Sequence, residues 1–233
     1  MIAAPPPVAL TAAPARIELA GAADETLLVS NPSRGAAVVD VRPAGFALDL
    51  RGRPRILVRR DASVRVTIEP RRLVLRPGQT GSVTVASTIA PRARPGDHVA
   101  LVVLATRARG AAGVGVRMQL GVVVTVRVPG RVVHRLEVRG VHTRSRMLDV
   151  VLRNRGNVTE SVGPSNVRVV LRRAGRVIGI LRPRRRELLP GTAGIVEVRR
   201  PRLRPGSFRA IVELRGTAAH VARRSFRLRV RAR

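Results

Sequence analysis

Four histidines, His98, His134, His142 and His220, are the side chains best suited to general acid–base chemistry, and none sits in a catalytic pattern. His98 directly follows Asp97. Neighbours on a strand point to opposite faces, so these two are not expected to form a dyad. His134 and His142 flank a strand and a turn with no carboxylate at ligand spacing, and both read as surface or edge histidines. The chain contains no nucleophile elbow, no zinc-binding His-Glu-x-x-His helix and no phosphate-cradling loop that ends in Gly-Lys. Gly110-Ala111-Ala112-Gly113-Val114-Gly115 falls between two strand-like runs and reads as a hairpin tip rather than a dinucleotide loop. Without Cys, the chain can form neither disulfides nor thiolate metal sites. The expectation is a non-enzymatic protein with no cofactor and no metal.

The chemistry that remains is arginine. All 45 basic side chains are Arg, against 14 acidic ones, for a net charge of +31. GC-rich coding favours Arg and Ala and disfavours Lys, which accounts for much of the excess. The charge still attracts polyanions, more weakly as salt rises. The densest cluster is Arg182-Pro183-Arg184-Arg185-Arg186. Arg182, Arg184, Arg185 and Arg186, together with Arg16, are the candidate anion-binding residues. Sequence-tolerant single-strand binding uses aromatic stacking, and duplex reading uses a helix or ribbon. Three Phe, no Tyr, no Trp and no helix-turn-helix pattern supply neither, so only non-specific attraction to nucleic acid is expected.

The elements that must carry these residues are strands. Val64-Arg65-Val66-Thr67-Ile68-Glu69, Val124-Thr125-Val126-Arg127-Val128 and Phe226-Arg227-Leu228-Arg229-Val230-Arg231 alternate apolar and polar with period two. Such Val-rich alternation predicts half-buried strands, with the outward Arg forming a solvated sheet face. No dozen-residue stretch has a capped helical period, so almost no helix is expected. No run of about 18 uncharged apolar residues occurs, so no helix is expected to span a membrane. Asn157-Val158-Thr159 matches a glycosylation sequon and is read simply as part of a turn.

Turn signals punctuate the chain at short intervals, as at Arg76-Pro77-Gly78, Arg94-Pro95-Gly96, Ala174-Gly175 and Arg204-Pro205-Gly206. They also repeat. Leu75-Arg76-Pro77-Gly78 and a strand lead to Arg94-Pro95-Gly96 and a second strand, Val99-Ala100-Leu101-Val102-Val103-Leu104. Leu188-Leu189-Pro190-Gly191 leads in the same way to Arg204-Pro205-Gly206 and Ala210-Ile211-Val212-Glu213-Leu214. Each copy follows a strand that ends at an Asn-centred turn, at Asn31 and at Asn154. Two copies of one plan predict two similar domains. The expected class is all-β, with two tandem immunoglobulin-like β-sandwich domains. Residues 1–13 are expected to be a flexible N-terminal segment, 14–130 the first sandwich and 131–233 the second. The Cys and Trp pattern of antibody domains is absent.

Several of these segments carry a resemblance. Pro14-Ala15-Arg16-Ile17-Glu18-Leu19 opens a first strand, and a later one leads into Asn31-Pro32-Ser33. Then come Ile68-Glu69-Pro70 through Leu75-Arg76-Pro77-Gly78-Gln79, a long apolar strand after Pro95-Gly96-Asp97, and a closing strand from Val116 to Pro129-Gly130. This order resembles the amino-terminal domain of periplasmic pilus chaperones, and more closely the extracellular WxL-interacting proteins of Gram-positive bacteria. The second resemblance implies one domain for peptidoglycan and one for a surface-protein partner. Pilus chaperones clamp a subunit's C-terminus with an Arg on the first strand and a Lys on the last strand of domain one. Arg16 matches the first position, whereas Leu120-Gly121-Val122-Val123-Val124-Thr125 holds no second cation.

The leading expectation is therefore an exported envelope protein that binds anionic cell-wall polymer or a surface-protein partner through multivalent Arg pairing. Met1 to Pro14 does not read as a complete signal peptide, and no membrane span follows before Arg233. One alternative is an assembly chaperone that offers a strand edge to its client, with Val122, Val124 and Val126 as candidate edge residues. The other is an intracellular polyanion or nucleic-acid binder.

Overall fold

The computed structural model describes residues 9–106, 117–144, 146–215 and 221–230. Every regular element among them is a strand, and none is a helix long and apolar enough to cross a membrane. The chain divides into two units, residues 1–47 with 56–130 and residues 131–233 with 48–55.

The first unit, with the adjoining residues 48 and 54–55, contains β1 (Thr11–Ala13), β2 (Arg16–Ala20), β3 (Asp24–Ser30), β4 (Ala37–Leu48), β5 (Pro54–Leu57), β6 (Val64–Glu69), β7 (Arg72–Leu75), β8 (Thr80–Ile89), β9 (Gly96–Thr106) and β10 (Gln119–Val128). One sheet runs β1-β3-β8-β6 and the other β2-β10-β9-β4-β5, with β7 also paired to β4. Alternation sends one row of each strand inward, and Val64, Val66 and Ile68 of β6 are buried while Arg65 and Thr67 are exposed. Facing rows such as Ile17, Leu27, Val83, Leu104 and Val124 form an aliphatic core. Each buried side chain of this size contributes about 1.5–3 kcal/mol relative to exposure.

The first element corrects one expectation. Thr11–Ala13 lies within the segment expected to be flexible, yet it pairs with Leu28–Ser30 as β1. Pro14 has no N–H and interrupts the ladder. The chain then resumes as β2 in the opposite sheet, parallel to β10.

The second unit contains β11 (Leu136–Arg144), β12 (Met147–Asn154), β13 (Glu160–Val162), β14 (Val167–Arg173), β15 (Arg176–Leu181), β16 (Arg186–Leu188), β17 (Ala193–Arg199), β18 (Gly206–Arg215) and β19 (Val221–Val230). Its sheets run β11-β12-β17 and β15-β14-β18-β19, with β13 and β16 forming a separate pair. Leu148, Leu152, Val169, Leu171 and Phe208 lie in its core. Ala174 and Gly175 both have positive φ, 44° and 79°, and close the two-residue turn between β14 and β15. Paired positive φ angles are what a tight hairpin of this hand requires.

Residues 48–55 were expected in the first domain but cluster with this second unit. The Ile195 N–H donates to the Leu50 carbonyl at 2.6 Å. Arg51 pairs with Glu197 and approaches Asp149 to 3.4 Å. The Gly110 to Gly115 run and His220 fall outside the described residues.

Candidate functional site

The candidate site is one half of β10. On one side β10 pairs along its whole length with β9, from Gln119 opposite Ala105 to Val128 opposite Gly96. On the other side β2 covers only Val123–Arg127. Among the described residues, no strand pairs with Gln119–Val122 on that side.

Alternation decides which groups this exposes. Just before β10, the Met118 carbonyl accepts from the Thr106 N–H at 3.0 Å, and the Met118 N–H donates to Thr106 Oγ1 at 2.9 Å. Residues in phase with Met118 thus turn their backbone groups toward β9, and the other set turns them away. Nine residues on, in the opposite phase, the Arg127 carbonyl accepts from the Gly21 N–H at 2.9 Å on the β2 side. Gln119 and Gly121 share that phase. Their N–H and C=O groups therefore face the open side.

The side chains follow the same phase. Val122, Val124 and Val126 are 1%, 0% and 0% exposed and belong to the core. This corrects the expectation that these three form an exposed edge. Val124 and Val126 lie on the stretch that β2 covers, so neither their backbone nor their side chains are free. The row continues toward the open end as Leu120 and Met118, both only partly buried against the core. The open edge thus combines unpaired backbone with a half-covered apolar row. Met118-Gln119-Leu120-Gly121-Val122 alternates visibly in sequence, but nothing in the sequence shows where β2 stops covering β10.

Arg16 begins β2, is exposed, and stands in register with Val123, one position past the open stretch. The other candidate cations belong to the second unit. Arg182, Arg184 and Arg185 are exposed. Arg186 is half-buried, and its Nη1 donates to the Ile195 carbonyl and to the Leu50 carbonyl, the latter at 3.0 Å. Burial lowers its pKa, partly offset by the charges of Asp49 and Glu197. Its place in the anion-binding set is corrected, because its guanidinium is committed to main-chain carbonyls.

Two of the histidines, His98 and His134, each pair with a carboxylate. Asp97 and His98 take separate partners, Arg127 at 2.5 Å and Asp61 at 2.7 Å, as opposite faces of a strand require. His134 pairs with Glu160 at 3.0 Å. Among the described residues, no three His, Asp or Glu side chains gather as a metal site.

No protein-family model and no curated protein matches the sequence. Solved structures match the fold over nearly the whole chain. One is a chain of the chaperone–tip adhesin complex of CFA/I fimbriae biogenesis, at 10% identity and TM-score 0.55, covering 95% of this chain and 98% of that one. Another is the class 5 fimbriae chaperone CfaA, at 10% identity and TM-score 0.54, covering 95% and 98%. A third comes from the CsuC–CsuE chaperone–tip adhesion subunit pre-assembly complex of archaic chaperone-usher Csu pili of Acinetobacter baumannii, at 9% identity and TM-score 0.51, covering 94% and 97%. The fold is thus that of the two-domain, immunoglobulin-like pilus chaperones. The resemblance to WxL-interacting proteins gains no support from these structures.

Proposed function

We propose that this protein is an extracytoplasmic assembly chaperone that holds an extended segment of a client subunit against the open edge of β10. The observation that carries the reading is the half-covered strand. Gln119 and Gly121 present main-chain donors and acceptors beside the partly buried Met118 and Leu120. An added strand gains affinity from the backbone ladder and selectivity from alternate side chains that enter the apolar row. A client strand parallel to β10 would end beside Arg16, whose guanidinium suits a terminal carboxylate. The similar structures named above include a fimbrial chaperone and chaperone–subunit complexes, which favours this reading over attachment to cell-wall polymer. The exposed Arg residues suit many polyanions and do not select a wall polymer among them.

The test uses a synthetic peptide of alternating Val and Ser with a free C-terminus, measured by calorimetry against wild-type protein and the Gln119→Pro variant. Proline at the start of a strand removes an N–H from the open side and leaves the β9 ladder intact. The expected result is saturable binding to wild type, weakened about tenfold by loss of one backbone bond and by the steric effect of the ring. Equal binding by both proteins, or no binding by wild type, overturns the reading.

A further inference from the structure

The outer face of the β15-β14-β18-β19 sheet carries two rows of charge on the same three strands. In the first row, Arg168 of β14, Glu213 of β18 and Arg223 of β19 are cross-strand neighbours. Glu213 occupies the centre, with Arg168 Nη2 at 2.5 Å and Arg223 Nε at 3.1 Å from its carboxylate oxygens. Farther along, on the same face by strand alternation, Arg172, Arg209 and Arg227 are neighbours in the same way. This second row has a cation at its centre. Among the described residues, no carboxylate lies within ion-pair distance of any of the three.

Like charges directly opposite on adjacent strands destabilise a sheet, and these strands stand only about 4.8 Å apart. Arg229 follows Arg227 on the same face, opposite Ser207. Arg172, Arg209, Arg227 and Arg229 line a depression of about 430 Å³, which the Ala174–Gly175 turn and Ser207 help to enclose. All four Arg are exposed.

We infer that this row is a binding site for a ligand carrying several phosphate groups, with phosphate oxygens supplying over the row the negative charge that Glu213 supplies in the first row. Guanidinium groups bind phosphate bidentately. Three cations across three strands span about 10 Å, more than one phosphate can bridge. The site lies wholly within the second unit and does not depend on the chaperone reading.

The experiment titrates inorganic tripolyphosphate into the whole protein by calorimetry at about 0.15 M salt, where long-range attraction is largely screened. Arg209→Glu places a carboxylate at the centre of the row, and Arg65→Glu, at an exposed position of β6, matches it in net charge. Wild type is expected to bind one tripolyphosphate per chain. Arg209→Glu should weaken binding about tenfold or more, with Arg65→Glu within about twofold of wild type. Arg209→Glu should also melt at a higher temperature without ligand, because its row becomes self-neutralised. If that variant fails to fold, Arg209→Gln is expected to fold and still bind several-fold more weakly than wild type. Equal loss in Arg65→Glu and Arg209→Glu would reduce the effect to bulk charge and overturn the site, as would unchanged binding by the position-209 variants. Orthophosphate is expected to bind at least about tenfold more weakly than tripolyphosphate. Equal affinity for the two would overturn the multi-phosphate assignment.

Discussion

The side-chain amide of Asn154 donates to the main-chain carbonyl of Leu188 across 3.0 Å, far apart in sequence and wholly buried. In the first unit, Asn31 donates to the carbonyl of Leu75 across 3.1 Å. Each Asn also ties its own turn, Asn154 through the Val158 carbonyl at 2.7 Å and Asn31 through the Gly35 carbonyl at 2.8 Å. Each accepts a backbone N–H on Oδ1, from Gly156 and from Ser33. One amide thus satisfies buried main-chain groups on two segments at once, and the duplicated plan uses it twice.

Replacing Asn154 with Ala should cost about 2–4 kcal/mol, because several buried main-chain groups lose a side-chain partner. Asn31→Ala should cost a similar amount in the other unit. Urea unfolding followed by circular dichroism measures both. A change below about 0.5 kcal/mol would show that the two amides do not hold the turns.

Ala174 adopts φ 44° at the first position of its turn, where a Cβ is disfavoured. Ala174→Gly should raise stability by up to about 1 kcal/mol, the relief of left-handed strain less the added freedom of the unfolded glycine. The melting midpoint should rise accordingly, and a fall would show that the turn is not strained at this residue.

Arg16 should act on the end of a bound strand rather than along it. Arg16→Ala is expected to weaken a peptide with a free C-terminal carboxylate about tenfold and to leave its amidated form unchanged. Calorimetry with the two peptides measures this, and equal losses for both would remove Arg16 from terminal recognition.

Asp61 should make stability sensitive to acid. Burial pushes its pKa up, but hydrogen bonds from His98 and from the Ser63 N–H, with the charge of His98, outweigh burial and hold it below the ordinary value. The folded state therefore favours the carboxylate. Its contribution is complete above the unfolded-state pKa of about 4 and is lost as pH falls through the lower folded value. Wild type should accordingly be more stable than Asp61→Asn at pH 6, and the two should converge as acid protonates Asp61. Parallel stability curves from pH 6 into the acid range would contradict this.

Much of the architecture is legible in the residues. Val64 to Glu69 alternates, and β6 buries its three apolar side chains, because a strand's pleat converts period two directly into two faces. Repeated Pro-Gly turns and two Asn-ended strands carry the duplicated plan, because turn chemistry is local. Position within a sheet is not local. Val122, Val124 and Val126 alternate as an edge strand would, yet their side chains lie in the core. Arg186 belongs to the densest basic run, yet its guanidinium is spent on the carbonyls of Leu50 and Ile195.

By itself, then, the sequence determined the strand content, the turns and the two-fold repetition, since each follows from residues within a few positions of one another. Tertiary structure alone decided where β2 stops covering β10, which Arg neutralises a carboxylate and which faces only other Arg. Those outcomes depend on register between strands distant in sequence, where a shift of one residue exchanges the inner face for the outer.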